Sequence, residues 1–236
     1  MPIQHDAVSN SGVQTATASY SWSHAWSGKD RFLSVDVLLL SVPGTTVTSV
    51  TFNGQPLTLI ASISTVSGAG RVECWAASAS QLGSLSPGTY TIAVALSASI
   101  ISISAAASRT GVHQGSPTET PNSAQATNVG AADAEVAITS VTDGCLIHAA
   151  CATDDPAITA GQTERSNVSG GGANSGASED FAQAAAGAKT MSFTAVAALA
   201  TWAIAGYAIR PAPAQHALGN YQRARADGNI CVGGLG

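Results

Sequence analysis

Between residues 32 and 40 the chain reads Phe-Leu-Ser-Val-Asp-Val-Leu-Leu-Leu, with Leu33, Val35 and Val37 on one face of an extended segment and Ser34 and Asp36 on the other. That is the two-residue period of a β-strand. The period recurs where Tyr90, Ile92, Val94 and Leu96 alternate with Thr91, Ala93 and Ala95, and again over residues 100–107. Further short apolar or alternating runs predict strands at 13–24, 47–52, 57–63, 71–77, 135–141, 145–151, 157–165, 181–186, 190–195 and 201–209. Helical propensity at 184–186 is outweighed by the alternation of Met191 and Phe193 with Ser192 and Thr194.

Turn chemistry divides these runs. Asn53-Gly54 is the strongest hairpin signal and predicts that 47–52 and 57–63 pair. Asp143-Gly144 predicts a second hairpin, joining 135–141 to 145–151. Pro43-Gly44 and Ser86-Pro87-Gly88 mark further turns, and the Pro-containing segment 113–127 reads as a long loop. The Gly/Ser-rich segment 166–179 predicts an exposed, flexible loop.

About a dozen short strands separated by turn signals, without helical repeats or heptads, predict an all-β fold. The expected architecture is a two-sheet antiparallel sandwich of the jelly-roll, concanavalin-like type. It occupies residues 1–212 as one domain. Residues 213–236 have no period and too few apolar positions for a core, and read as an extended C-terminal arm. Tyr221, Arg223, Arg225, Ile230, Val232 and Leu235 are its candidate contacts with a neighbouring subunit.

Composition narrows the partners. Hydrophobic residues make up 45% of the chain, enough for a sizeable core, but charged residues make up only 10%, against roughly 25% in ordinary soluble domains. The surface must be largely Ser, Thr, Ala, Gly and Asn, whose short side chains lose little entropy on contact. Net charge is −5, and the basic residues are scattered, so no footprint for nucleic acid is present. No run reaches the roughly 18 apolar residues of a membrane span. The N-terminal residues lack a basic region followed by an apolar one, so Sec-type export is not expected. Cys74, Cys145, Cys151 and Cys231 form no CxxC pair and read as small buried residues of a reducing compartment.

Candidate chemistry is sparse. His24, Asp30 and many serines are present, but no nucleophile elbow accompanies them. The carboxylates Glu73, Asp133, Glu135, Asp143, Asp154, Asp155, Glu164 and Glu179 are dispersed, so no pair suited to glycoside hydrolysis stands out. Glu73 is expected in an ion pair with Arg31 or Arg71. Asp154-Asp155-Pro156 reads as a turn, with calcium as the alternative. Of the four tryptophans, Trp75 and Trp202 belong to apolar strands and the core. Trp26, flanked by Ser and Gly, is the candidate for stacking on a sugar. No catalytic residue, metal ligand or cofactor is assigned.

Several segments together carry a resemblance. They are Trp22-Ser23-His24, Gly28, Asp30-Arg31, Leu33, Val35, Val37, then Val47, Ser49-Val50-Thr51, Gly54 and Leu57-Thr58. Glu73-Cys74-Trp75, Gly111-Val112-His113-Gln114 with Pro117, Gly161-Gln162-Thr163 with Arg165, and Tyr207-Ala208-Ile209-Arg210-Pro211-Ala212 follow. The pattern resembles a family of jelly-roll β-sandwich modules found in bacterial surface proteins and phage virion proteins. The resemblance implies a structural rather than an enzymatic role. With the low charge, the arm and the absence of an export pattern, it points to a phage virion protein made in the host cytoplasm, foremost a capsid decoration (cement) protein. Its expected partners are the major capsid protein or other virion proteins and further copies of itself, with trimers suggested by analogy. A tail or head-fibre component is the near alternative. A carbohydrate-binding module using Trp26 on a host glycan is the alternative of another class.

Overall fold

In a computed structural model, every regular element among the described residues is a β-strand, and every strand pairing among them is antiparallel. The structure describes residues 2–40, 44–68, 70–83, 85–127, 133–154, 157–169, 174–195 and 201–213. Among them are β1 (Gln4–Trp26), β2 (Phe32–Leu40), β3 (Val47–Phe52), β4 (Gln55–Pro56), β5 (Thr58–Ser64), β6 (Gly70–Ser78) and β7 (Gly88–Thr110). These seven form one sheet, in the order β4-β3-β7-β2-β6-β5 with β1 on β7. The chain continues through β8 (Asn122–Thr127), β9 (Ala134–Ser140), β10 (Leu146–Thr153), β11 (Ile158–Ala160) and β12 (Thr163–Ser169). It ends with β13 (Ser175–Ala182), β14 (Gly187–Ala195) and β15 (Thr201–Ile209). Five of these make a second sheet, β12-β13-β10-β15-β8, and three a small third one, β11-β14-β9.

The expected all-β antiparallel sandwich is present, with its strands shared among three sheets in place of two. The first sheet also folds over on itself. β1 and β7 are each 23 residues long and pair from Gln4↔Thr110 to Trp26↔Gly88. A straight strand rises about 3.3 Å per residue, which would put Ser9 and His24 about 50 Å apart. Instead Ser9 Oγ lies 2.7 Å from His24 Nδ1. Likewise Tyr20, paired with Val94, reaches Ser104 Oγ at 2.7 Å. The ribbon bends where the register slips between Asn10 and Ser19, with left-handed backbone at Gly12 (φ 62) and Ala16 (φ 48). Bulges of this kind add bend and twist to a strand pair.

Four layers result, separated by three cores. In the first core, Leu33, Val35, Val37 and Leu39 of β2 meet Val50, Phe52, Ile92 and Val94 of the folded-over flap. In the second, Phe32, Leu38 and Leu40 on the opposite face of β2, with Val72 and Cys74, meet Ala150, Ala203, Ala205 and Tyr207. In the third, Ile147, Cys151, Ile204 and Ala208 meet Val136, Ile138, Met191 and Phe193 of the small sheet. β2, β10 and β15 are therefore covered on both faces.

Small residues let these layers approach. A β-carbon on Gly176 would run into the Leu38 side chain of the facing layer, and within one sheet a β-carbon on Gly206 would run into the carbonyl of His148 on the neighbouring strand. Backbone yields less readily than a side chain, so Gly206→Ala is expected to cost about 1–3 kcal/mol as overpacking. A urea titration checks this, and an unchanged midpoint would refute it.

Several local expectations are corrected. The Asn53-Gly54 turn forms, with φ of 49° and 76°, but its hairpin is only two pairs deep. Beyond Leu57 the chain leaves β3, and β5 pairs with β6 instead. Residues 89–96 and 100–107 are one strand, and the long loop stops at β8. β9 and β10 are not a hairpin: β9 pairs with β14 in the small sheet, whereas β10 pairs with β13 and β15. The run 157–165 breaks at Gly161-Gln162 into β11 and β12, which belong to different sheets. Most of the Gly/Ser-rich segment is not an exposed loop, because Ser175–Asp180 is a buried stretch of β13. Pro43 of the Pro43-Gly44 turn and Asp155-Pro156 lie outside the described residues.

Candidate functional site

The densest concentration of charge lies between the second and third layers, where the polar face of β2 meets β7, β10 and β13. Ser34 and Asp36 of β2, Arg109 of β7, His148 of β10 and Asp180 of β13 are each at most 2% exposed. Arg109 grips Asp180 with two donors, Nη2 to Oδ1 at 2.6 Å and Nε to Oδ2 at 3.2 Å, and gives Nη1 to Ser34 Oγ at 2.7 Å. Arg165 of β12 adds Nε to Asp180 Oδ2 at 2.7 Å. The His148 ring lies between the two carboxylates, with Nδ1 2.8 Å from Asp180 and Nε2 2.9 Å from Asp36.

Both ring nitrogens face carboxylate oxygens, so both carry protons and His148 is an imidazolium. Arg109 Nη2 also lies 3.1 Å from Nδ1. With Nδ1 protonated, that approach is two donors converging on the same Asp180 oxygen. Burial alone would push the His148 pKa down, but the Asp36 charge and the hydrogen bonds to Asp180 and Asp36 outweigh it and raise it to about 9. Burial likewise opposes ionisation of Asp180. The charges of Arg109 and His148 overcome that and hold its carboxyl well below the ordinary range. The arrangement clamps the layers together through paired, hydrogen-bonded charges, the form in which buried charge is tolerated. With every member of the His–Asp pairings sealed from solvent, the cluster has no face to offer a substrate.

A second buried histidine has the opposite character. The Trp22 indole donates to Ser9 Oγ at 2.9 Å, and the same oxygen shares a 2.7 Å hydrogen bond with His24 Nδ1. Its Nε2 has no hydrogen-bond partner among the described residues. Burial lowers its pKa to about 4, with the neighbouring Asp6 charge only partly offsetting this. Its partner Ser9 lies within the same folded ribbon.

Glu179 is a further buried carboxylate, in a segment that the Gly/Ser-rich composition predicts to be a loop. Its carboxylate accepts from the backbone N–H groups of Gln162 at 2.8 Å and Ser192 at 3.1 Å. It fastens the point where the chain crosses from the small sheet to the larger one. Burial raises its pKa, against the pull of these hydrogen bonds. Glu73 pairs with Arg71, one of the two expected partners, at 2.6 Å, and also accepts from the Trp75 indole at 3.2 Å.

Trp26 is not a surface platform. It ends β1 at 1% exposure, its ring lies 5.3 Å from that of Phe52, and the Arg31 guanidinium covers it at 4.8 Å. The Gly28-x-Asp30-Arg31 motif thus builds a turn and lays Arg31 on Trp26. Trp26→Phe is expected to cost about 1–2 kcal/mol through lost packing. Chemical denaturation checks it, and a variant as stable as the parent would show that the indole contributes no packing. The arm candidates Tyr221, Arg223, Arg225, Ile230, Val232 and Leu235 lie outside the described residues, as does Cys231. Cys74, Cys145 and Cys151 are free thiols, all buried. Among the described residues no group of His, Cys, Asp or Glu could hold a metal ion, and no helix is long and apolar enough to cross a membrane.

The surface contrasts with this interior. Among the described residues seven charged side chains are buried, Arg31, Asp36, Glu73, Arg109, His148, Glu179 and Asp180, which thins the outer charge further. On the flap, Ser21, Ala93 and Thr51 stand side by side, as do Ser19, Ala95 and Ser49. Together they make an outward face of short, uncharged side chains. No family model matches the chain, and no curated protein or solved structure matches it. Fold and site define an all-β antiparallel sandwich whose charge chemistry is turned inward.

Proposed function

We propose that the protein is a structural subunit of a phage virion, a decoration protein that packs on the capsid shell. The observation that carries this reading is the flap's outer face, an uncharged array of Ser, Ala and Thr on a pleated surface. Such a face desolvates cheaply and loses little side-chain entropy on contact. Apolar area removed from water contributes about 25 cal/mol per Å², and many copies on one shell multiply a modest gain per subunit. The motif resemblance supports the same class, and the layered, doubly covered strands suit a load-bearing part.

Mass spectrometry of purified particles tests the proposal. A copy number comparable to that of the major capsid protein is expected. A few copies per particle would favour the tail or head-fibre reading, and absence from particles would overturn both. Removal of residues 213–236 is expected to lower occupancy on the shell. The glycan alternative loses its principal support with the burial of Trp26.

A further inference from the structure

Strand β1 has β7 on one side, and among the described residues no strand pairs along its other side. Residues 19–26 run beside β7 without a register shift, from Ser19↔Ala95 to Trp26↔Gly88. The Thr91 carbonyl accepts from Asn53, on the β3 side, at 2.8 Å. In the alternating ladder Tyr90, Ile92 and Val94 therefore turn their backbone groups to β1. Their partners His24, Trp22 and Tyr20 turn inward to meet them, which leaves the N–H and C=O groups of Ser21, Ser23 and Ala25 directed out of the sheet edge. Side chains satisfy the two ends of this row. Ser27 N–H donates to Asp6 Oδ2 at 2.9 Å, and the Ala25 carbonyl accepts from Ser108 Oγ at 3.4 Å. At the other end Thr17 Oγ1 meets the Ser19 carbonyl at 2.8 Å and the Ser19 N–H at 3.4 Å. Between them, the backbone groups of Ser21 and Ser23 have no partner among the described residues.

This edge lacks the devices that keep sheets from pairing with one another, which are charge, proline and bulges. No Asp, Glu, Lys or Arg stands between Asp6 and Lys29, and residues 19–26 contain no Pro and no Gly. By comparison, the edge strand β12 carries Glu164 and Arg165, and the edge strand β5 has a bulge between Leu59 and Ala61. Beside the open backbone, Tyr20 and Trp22 stack with ring centres 6.2 Å apart and are only half-buried. Aromatic surface therefore remains in water next to the unpaired groups, and Tyr and Trp are the residues that interfaces favour.

The neutrality of the strand selects its occupant. A second copy approaching about a two-fold axis sets the strand against itself, so that any charge near the axis would meet its like. Residues 19–26 carry none at neutral pH, His24 being held neutral by burial. We propose that residues 19–26 pair antiparallel with the same residues of a second copy, joining two flaps into one continuous sheet. An axis at Trp22 sets Ser21 opposite Ser23 of the second copy, and each such pair exchanges both of its backbone hydrogen bonds. The half-buried Tyr20 and Trp22 of each copy are then covered at the junction. The pairing goes beyond the virion reading and does not depend on it.

Sedimentation equilibrium of the purified full chain, from micromolar towards millimolar protein, tests it. A reversible monomer–dimer equilibrium is expected, ending at the dimer because two-fold pairing uses up the edge. Ser23→Pro removes an N–H that the chain's own sheet does not use, and proline is accepted on an edge strand in that position. It deletes two hydrogen bonds per dimer and should weaken association at least about tenfold. Ser23→Lys keeps the N–H, and its exposed position tolerates the side chain in the monomer. It places like charges near the axis and should weaken association as well. Val141→Lys, on an exposed position away from the edge, should leave association unchanged. Amide exchange at Ser21 and Ser23 should slow as the dimer forms. A chain that stays monomeric throughout, association that both Ser23 variants leave intact, equal loss with Val141→Lys, or growth beyond the dimer would each overturn the proposal. Copy number on particles decides the virion reading separately.

Discussion

Asp180→Asn is expected to destabilise the protein by about 3–5 kcal/mol, the cost of leaving buried charges without their partner. Asp180 is the acceptor on which Arg109, Arg165 and His148 converge. Its neutralisation leaves Arg109, Arg165 and His148 without this carboxylate, two of them fully buried, and only His148 keeps a bond to Asp36. Asparagine keeps the size and one acceptor oxygen, so the loss reports charge rather than a cavity. Asp36→Asn should cost less, because His148 retains Asp180 on its other side. Urea titration at pH 6.5 checks both variants. A loss under about 1 kcal/mol for Asp180→Asn would mean that the cluster is solvated and does not clamp the layers.

Stability is expected to peak near pH 6.5, because the two buried histidines titrate in opposite senses. The folded-state pKa of His148 is raised to about 9. Its stabilisation is complete below the unfolded value of about 6.5 and is lost as pH rises through 9. A shift of that size corresponds to roughly 3 kcal/mol. The folded-state pKa of His24 is lowered to about 4. The unfolded chain therefore binds a proton that the folded one refuses, and stability falls by a similar amount, roughly 3 kcal/mol, as pH drops from 6.5 towards 4. Below that range Asp180, whose carboxyl is held low by Arg109 and His148, adds a further loss as acid protonates it. Glu179 works against the acid limb, since its pKa is raised. Each histidine is therefore best read as a difference. His148→Gln should flatten the alkaline limb alone, and His24→Gln the acid limb alone. Urea midpoints measured from pH 4 to 8 decide it, below the range in which the buried thiols of Cys74, Cys145 and Cys151, whose pKa values burial raises, add a loss of their own. An alkaline limb that survives His148→Gln would reassign it to another group.

Much of the strand content was legible because two-residue alternation survives in any environment. Leu33, Val35 and Val37 alternate with Ser34 and Asp36 whether the second face meets water or another sheet. The polar face of β2 meets Arg109 and His148 from other strands, and no local pattern announces partners 75 and 112 positions away. The Gly/Ser-rich segment misled for a related reason. Glycine signals a turn when it supplies left-handed backbone, but Gly176 is needed because Leu38 occupies the space of its β-carbon. Trp26 looked exposed from its Ser and Gly neighbours, yet β-strand neighbours in sequence point to opposite faces. Two signals could have found the buried cluster: Asp36 in an otherwise apolar strand, and His148 in the run Leu-Ile-His-Ala-Ala-Cys. An ionisable group inside such a run needs a partner.

The sequence by itself determined the local structure: extended segments with their alternation, the turn at Asn53-Gly54, and an all-β chain poor in charge. These follow from backbone sterics and side-chain period, which act over a few residues. Only the tertiary structure decided the partners. It folded the β1–β7 ribbon over, sent β9 and β10 to different sheets, closed β2 between two cores, and brought Asp36, Arg109, His148 and Asp180 together. Pairing and layer order depend on which distant faces complement one another in shape and charge, and that complementarity exists only once the chain is packed.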